Sequence, residues 1–216
     1  KIAFVANTYY HLKTCHLPFL EQFRQKGWDV HAYANPDHEK GGIERRGFLC
    51  HDLPYLRNPY SLNSMRALSM LVASFSREQF SLVHVHNPVS SVIGRIAARI
   101  AGVPSVIYTA HGFHFYDGAP LANWLVYYPI ERLMAHWTDY LITVNAEDYQ
   151  RAAGFSVRRG IYRAYGVGVD LDSFNSARAE KLDLDIDQLK KNFLILQVAE
   201  LNANKNHVQL IMAVDQ

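Results

Sequence analysis

The stretch FSLVHVHNPVSSVIGRIAARIAGVPSVIYTAHG, Phe80–Gly112, decides the fold. Two short apolar runs, Leu82–His86 and Ser105–Ala110, read as strands. Between them lies a helical pattern, Val89–Ala101, which begins just after a proline and stops at Gly102. Strand, helix and strand in this order predict a parallel βαβ unit.

The same alternation continues on both sides of this unit. The predicted strands are Ile2–Ala6, Asp29–Ala34, Leu82–His86, Ser105–Ala110, Tyr140–Val144, Ile161–Tyr165 and Phe193–Val198. The predicted helices are Leu17–Lys26, Leu62–Arg77, Val89–Ala101, Leu121–Trp137 and Ala146–Ala153. Most of the strands are continuous apolar runs, which is typical of a sheet covered on both faces. The sequence therefore predicts an α/β fold, a Rossmann-like doubly wound parallel sheet.

The composition changes near Gly166, where glycines and then polar residues replace the apolar runs. We expect residues 1–168 to form an N-terminal Rossmann-like domain. Residues 169–216 are expected to hold a crossover and the truncated start of a second domain, because the roughly 24 residues after the crossover are too few to bury a core.

Composition and charge exclude several classes of protein. The 216 residues are 49% hydrophobic with a net charge of only +2, so the chain predicts a globular core and no nucleic-acid partner. It has no apolar run long enough to span a bilayer. Cys15 and Cys50 form no CxxC pair, which favours a reduced, cytoplasmic setting. Peripheral contact with the inner face of the cell membrane stays open.

Two nucleotide-binding motifs are missing from their expected positions. The segment after the first strand reads ANTYYHLKTCH, Ala6–His16, and has no glycine, so it is not a GxGxxG loop. The chain also has no Walker A sequence. A classical dehydrogenase or a P-loop enzyme is therefore not expected.

Ligands of doubly wound sheets bind beyond the carboxyl ends of the strands. The segments predicted there are Asn7–His16, Asn87–Ser91 and His111–Pro120. In the last of these, His111 follows a strand directly and is itself followed by Gly112, which lets the backbone approach a ligand. An imidazole in that place can hydrogen-bond a sugar hydroxyl or a phosphate oxygen.

The other histidines carry weaker signals. His84 and His86 share one face of a strand, and His111 and His114 are three residues apart. Metal sites built on such pairs need a further carboxylate or thiolate nearby, and the sequence fixes none, so we predict no catalytic metal. His84 is expected to be a hydrogen-bonded core residue, and His86 is left open between core and site.

Several ordered segments carry a family resemblance. TAHGFHFYDGAPLANWLVYYPIERLMAHWTDYLITVNAEDYQRA closely resembles the corresponding segment of the family 4 retaining glycosyltransferases, above all those that build capsule, exopolysaccharide or lipopolysaccharide. Four other segments are similar to further parts of the same family. They are KIAFVANTYYHLKTCHLPFLEQFRQKGWDVHAYA, the stretch Phe80–Gly112 quoted above, YGVGVDLDSF and VAELNANKNHVQLIMAV. The resemblance runs almost from end to end.

This resemblance implies a GT-B fold, in which one Rossmann-like domain holds the acceptor and a second holds a donor nucleotide. It implies that His111 is the catalytic residue and that Lys205 contacts the donor phosphates. The substrate-binding residues it implies are Gly112, Phe113, His114, Asn87, Tyr10, His11 and Asn145. The donor would be a nucleoside-diphosphate sugar, expected to be UDP-linked, with a saccharide or lipid-linked acceptor and no cofactor. The reaction would retain the anomeric configuration by a front-face route.

The chain departs from the family at two places. Glu200 stands where many members carry arginine, and the first loop offers Asn7, Tyr9, Tyr10 and His11 instead of paired glycines. Two other functions stay open: a sugar-nucleotide epimerase of the same fold, and an acceptor-binding domain without activity of its own. The aromatic run Trp124, Tyr127, Tyr128 and Trp137 is expected to be core rather than an acceptor or membrane surface.

Overall fold

The computed structural model describes residues 1–54, 61–166, 168, 171–174, 193–202 and 205–215. The chain divides into two compact units, Lys1–Gly168 and Val169–Gln216. All the strands described below lie in the first unit.

The first unit is built on a seven-stranded parallel sheet. Its strands are β1 (Ile2–Thr8), β2 (Val30–Asn35), β3 (Leu49–Asp52), β4 (Leu82–His86), β5 (Ser105–Ala110), β6 (Tyr140–Thr143) and β7 (Gly160–Arg163). Their spatial order is β3-β2-β1-β4-β5-β6-β7, and every neighbouring pair is parallel. The chain winds outward to β3 and then returns to the other side of β1, so the topological switch point lies between β1 and β4.

Helices connect the strands. They are α1 (Tyr9–His11), α2 (Leu17–Gln25), α3 (Lys40–Glu44), α4 (Leu62–Glu78), α5 (Pro88–Ile100), α6 (Leu121–Ala135), α7 (Ala146–Ala152) and, in the second unit, α8 (His207–Val214). A π-helical turn, Leu12–His16, joins α1 to α2, and a short 3-10 helix spans Leu171–Phe174. Local chemistry sets the limits of α4: the Ser61 side chain accepts from the N–H of Ser64, and Gln79 ends the helix in a left-handed conformation.

Both faces of the sheet are covered by a hydrophobic core. Successive side chains of β1 point to opposite faces, so Ile2 and Phe4 join one buried cluster while Ala3 and Val5 join the other. This is why the strands read as continuous apolar runs. The fold predicted from the sequence, a doubly wound parallel α/β sheet, is confirmed.

A buried ion pair connects α5, α6 and β5. Arg95 Nη2 lies 2.9 Å from Glu131 Oε2, and the Tyr108 hydroxyl donates to Glu131 Oε1 at 3.1 Å. The guanidinium also stacks over the Tyr108 ring, 4.3 Å from its centroid. These partners compensate two charges that are almost completely removed from water.

The sequence prediction fails at two strands. Strand β3, Leu49–Asp52, was not expected, because this edge strand is short, half-exposed and lacks an apolar run. The predicted strand Phe193–Val198 is wrong: the structure gives these residues no strand pairing, and Phe193 and Leu196 are exposed. No described neighbour offers this stretch a ladder of hydrogen bonds, and a strand needs one.

Helix α6 carries three residues of the aromatic run, and the fourth, Trp137, lies two residues beyond its end. Trp124, Tyr127 and Tyr128 are partly buried and pack against the core. The same helix also exposes apolar side chains to solvent, among them Leu121, Leu125 and Leu133. Within the described ranges, no helix is long and apolar enough to cross a bilayer.

Candidate active site

Three segments meet at the carboxyl edge of the central strands. They follow β1, β4 and β5, where the sequence predicts a ligand. His86 is the last residue of β4 and pairs in register with Thr109, so β4 and β5 end at nearly the same level and His111 lies just beyond. The segment after β1 folds over the carboxyl ends of β4 and β5.

A helix cap and two buried side chains hold the segment after β1 in place. The Thr8 side chain accepts from the N–H of His11 at 3.2 Å, which starts α1, and the side chains of Tyr9 and Leu12 are buried. The π-helical turn that follows ends at His16. Such turns are rare and are frequently found at functional sites.

Four imidazoles come together here, and we call them the histidine cluster: His11, His16, His86 and His111. The Nε2 atoms of His16 and His111 lie 3.1 Å apart. The ring centroids of His16 and His86 are 3.7 Å apart, and those of His11 and His111 are 4.7 Å apart. One nitrogen of each residue lies within 4.8 Å of the corresponding nitrogens of the other three.

His86 is the most deeply placed member of the histidine cluster. Its side chain is 0% exposed, and neither ring nitrogen has a hydrogen-bond partner among the described residues. Its neighbour on the strand, His84, is buried too but bonds the Thr109 hydroxyl at 2.8 Å, as the sequence predicts for a core histidine. A buried, unpaired polar group is costly, so His86 stands out.

Burial keeps these imidazoles neutral. It lowers the pKa of His16 to about 2 and that of His11 to about 4, with neighbouring histidines adding to the shift. Burial likewise lowers the pKa of His86 and of His111. Each ring therefore carries one N–H donor and one free lone pair at neutral pH.

A cavity of about 280 Å³ opens beside the histidine cluster. His111, His16 and His84 form part of its wall together with Thr109. The rest of the lining is mainly apolar and consists of Cys15, Phe19, Phe23, Ile107, Ile142, Val144, Ala164 and Gly166. An apolar cavity with a few converging polar groups has the usual form of a small-molecule site.

Asn87 joins the first and second segments in a strained conformation. Its backbone has φ 62° and ψ 150°, a region that residues other than glycine rarely adopt. Its Oδ1 accepts from the N–H of Asn7 at 3.0 Å, and its Nδ2 lies 3.4 Å from His11 Nε2. The fold thus places the predicted site residue His11 next to both Asn87 and His111.

Other predicted site residues border the cluster without joining it. Gly112 is exposed with φ +145°, a conformation that favours glycine. His114 is exposed, and its ring lies 4.6 Å from that of Tyr127. Tyr10 is 54% exposed, and its backbone N–H donates to Asp37 at 2.8 Å.

Two predicted substrate-binding side chains have structural roles instead. Phe113 is buried at 6% exposure and stacks on Phe115 in the core, because the chain turns inward directly after Gly112. Asn145 is the N-cap of α7, because its Oδ1 accepts a hydrogen bond from the N–H of Asp148 at 2.8 Å. The Phe113 side chain is buried, whereas the Asn145 side chain is exposed while it caps the helix, and a role of either toward a ligand stays a prediction.

Lys205 belongs to the second unit. It is exposed, its N–H donates to Asn202 Oδ1 at 3.0 Å, and its carbonyl accepts from Gln197. Its role toward donor phosphates stays a prediction.

His16 is a site residue that the sequence pattern does not reveal. Residues five apart, such as His11 and His16, diverge on an α-helix, and only the π-helical turn brings them to one side. The signal that could have found it is the occurrence of histidine at or just beyond the carboxyl ends of three central strands: in the segment after β1, at the end of β4 as His86, and directly after β5 as His111.

Known proteins show the same pattern of sequence and fold. A family model described as "Glycosyl transferase 4-like" matches residues 1–145. EpsD of Bacillus subtilis (strain 168), whose name describes a glycosyltransferase, is 37% identical over 99% of this chain and 56% of its own length. An Escherichia coli protein, named UDP-Gal:alpha-D-GlcNAc-diphosphoundecaprenol alpha-1,3-galactosyltransferase, is 35% identical over 69% of this chain and 40% of its own.

A solved structure has the same fold. The structure of Anabaena HepE in complex with UDP and glucose superposes with a TM-score of 0.57 at 14% identity, covering 88% of this chain and 49% of HepE. The chain spans about half the length of the curated relatives it matches. By the match over residues 1–145, the chain belongs to the glycosyl transferase 4-like family.

Proposed function

We propose that the protein transfers a sugar from a nucleoside-diphosphate donor, UDP-linked, to a lipid-linked saccharide during synthesis of a bacterial surface polysaccharide. The observation that carries the proposal is the place of His111: a half-buried imidazole at the carboxyl end of β5 that lines a cavity beside β4, β5 and β6. Family membership supports the class of reaction. The name of the Escherichia coli relative states both a UDP-linked donor and a diphosphoundecaprenol-linked acceptor.

A neutral His111 suits this chemistry. Burial lowers its pKa, so at neutral pH the ring offers one N–H donor and one acceptor to a sugar hydroxyl. A donor held in a water-poor cavity stabilises developing charge more strongly than the same donor in water. We assign His111 to the sugar and Lys205 to the diphosphate, whose negative charge the ammonium would balance.

The proposed course of the reaction retains the anomeric configuration. The bond between the anomeric carbon and the diphosphate oxygen breaks, the acceptor oxygen bonds to the same face of that carbon, and its proton passes to the departing diphosphate. The cavity offers imidazole, hydroxyl and thiol groups together with apolar side chains. A front-face route fits such a lining, since it does not require the carboxylate nucleophile of a double displacement.

We further propose that α6 rests on the inner, cytoplasmic face of the cell membrane, where a lipid-linked acceptor resides. Its outer side exposes Leu121 and Leu125, at 73% and 67%, beside the exposed Arg132. Apolar side chains next to a cation suit an anionic lipid interface. Co-sedimentation with vesicles of anionic lipid should weaken in Leu125→Asp and stay unchanged in His38→Asp, and equal sedimentation of both variants would remove this part of the proposal.

The reaction class is tested with the full-length protein, UDP-sugars and an undecaprenyl-diphosphate-linked saccharide. Transfer predicts an acceptor lengthened by one sugar, and NMR of the product reports whether its anomeric configuration is retained. An epimerase would instead interconvert free UDP-sugars with no acceptor present, and that result would replace the proposal.

A second test addresses the alternative of an acceptor-binding domain. The chain alone should bind a nucleotide sugar weakly or not at all if the donor is held mainly by other parts of the full-length protein. Calorimetric titration of the chain with UDP-sugar measures this, and micromolar affinity would contradict the assumed division between acceptor and donor domains.

A further inference from the structure

We propose that the histidine cluster binds one divalent transition-metal ion, with His11, His16, His86 and His111 as its ligands and Zn²⁺ as the ion that fits best. The inference does not depend on the proposed sugar transfer. It contradicts the expectation of no metal drawn from the sequence, where the two histidine pairs showed no further ligand. The fold supplies that ligand set from three separate segments.

The first support is the geometry of the four rings. Their candidate ligand atoms all lie within 4.8 Å of one another, and the Nε2 atoms of His16 and His111 are 3.1 Å apart. Four nitrogens at Zn–N distances of about 2.0–2.1 Å in a tetrahedron lie about 3.4 Å apart. The contact between His16 and His111 is already near this value, and the other pairs, separated by at most 4.8 Å, would have to close by up to about 1.4 Å on binding.

The second support is independent of the first and comes from His86. This side chain is fully buried, and both of its ring nitrogens lack a hydrogen-bond partner among the described residues. Leaving a buried polar group unpaired costs about 1–3 kcal/mol, and proteins rarely tolerate it without a reason. An ion at the centre of the histidine cluster would give His86 the partner that it lacks.

The chemistry of the ligand set selects the kind of ion. Four neutral imidazoles offer nitrogen alone, whereas Mg²⁺ and Ca²⁺ prefer oxygen ligands. Imidazole suits Zn²⁺, Cu²⁺, Ni²⁺ and Co²⁺, and a compact set of four nitrogens suits the tetrahedral geometry of Zn²⁺. The structure thus points to a borderline transition metal rather than to a hard cation.

A bound ion would fasten the three segments together. His11 and His16 come from the segment after β1, His86 ends β4, and His111 begins the segment after β5. The ion would also occupy the Nε2 atom of His111 that now faces His16. The metal-bound protein and a protein in which this atom contacts a sugar are therefore two different states.

The test is a titration of the metal-free protein with ZnCl₂ followed by calorimetry, with CoCl₂ as a spectroscopic probe. The wild type should bind one Zn²⁺ per chain and give the visible spectrum of tetrahedral Co²⁺. His16→Ala and His86→Leu should each weaken Zn²⁺ binding by about 100-fold or more, since even partners outside the ligand set contribute about 10–100-fold. The matched control is His38→Ala, which removes an exposed histidine outside the cluster and should change nothing.

Folding is checked separately, so that loss of binding has one meaning. Far-UV circular dichroism and the melting temperature of each metal-free variant show whether it folds, and His11→Ala, at a half-exposed position, serves if a buried variant does not. Zn²⁺ should raise the melting temperature of the wild type and leave that of folded His86→Leu unchanged. A wild type that takes up no Zn²⁺, or folded cluster variants that bind it like the wild type, would overturn the proposal.

Discussion

The Nε2 atoms of His16 and His111 lie 3.1 Å apart, although 95 residues separate them in the sequence. The contact joins the π-helical turn after β1 to the loop after β5 and fixes the ring of His111 at the edge of the cavity. Two neutral imidazoles at this distance share one hydrogen bond only if one donates and the other accepts. His16 is therefore a positioning residue for His111.

Replacing His86 by leucine should stabilise the metal-free protein. Both ring nitrogens of His86 are buried without a partner among the described residues, and leucine fills the site without a polar atom. We expect a gain of about 1 kcal/mol in the free energy of unfolding, measured by urea denaturation in the presence of a chelator. A gain of this kind would mean that the histidine is kept for a reason other than stability.

The control is the matched change His84→Leu, two residues away on the same strand. His84 bonds the Thr109 hydroxyl at 2.8 Å, and its loss should cost about 1–3 kcal/mol. If both leucine variants are destabilised to the same extent, the unpaired state assigned to His86 is wrong.

The buried ion pair of Arg95 and Glu131 should behave as one unit. Arg95→Met leaves the Glu131 carboxylate buried with fewer partners and should cost about 3–5 kcal/mol, and Glu131→Met should cost a similar amount. The double variant should lose less than the sum of the two by at least about 1 kcal/mol. Additive losses in a double-mutant cycle from urea denaturation would show that the two charges are independent.

Gly94 should not tolerate a larger residue. A Cβ atom at this position would lie 2.6 Å from Val85 Cγ1, where α5 crosses β4. We expect Gly94→Ala to lower the melting temperature, at a cost of about 1–3 kcal/mol, and Val85→Ala to recover part of the loss. Gly154→Ala is the matched control, since no described atom lies within 4 Å of its Cβ position. Equal melting temperatures for the two variants would contradict the close packing of α5.

Cys50 should react slowly in the folded protein. Burial raises the pKa of its thiol to about 11, and the nearby charge of Glu44 adds to the effect. Only the thiolate reacts, so at mildly alkaline pH alkylation of Cys50 should be about 100-fold slower than in urea-unfolded protein. Peptide mapping by mass spectrometry after timed iodoacetamide exposure measures both rates, and equal rates would show that the thiol is not shielded.

The sequence predicts the parts of the fold that have strong periodic signals. Strands β4 and β5 and helix α5 lie where the stretch Phe80–Gly112 places them, since apolar runs, a proline and a glycine mark their ends. Strand β3 is not predicted from the sequence, because an exposed edge strand requires few apolar residues. Pairing with β2 forms it, and pairing is a tertiary effect that local pattern does not contain.

The sequence predicts some residues of the candidate site and misses others. His111 and Asn87 are predicted because they follow strands directly, and the fold connects them through His11, which contacts both. His16 is missed because its approach depends on a π-helical turn, and the burial of Phe113 is not foreseen because the resemblance does not report which way each side chain turns.

The most direct test of the proposed function is the steady-state rate of sugar transfer by the full-length protein carrying His111→Ala. Removing a group that stabilises transition-state charge costs about 100- to 1,000-fold in kcat. We expect a fall of that size with UDP-sugar and a lipid-linked acceptor, whereas His38→Ala, which removes an exposed histidine outside the cluster, should stay within about twofold of the wild type. Wild-type kcat in folded His111→Ala would contradict the assignment of the reaction to this site.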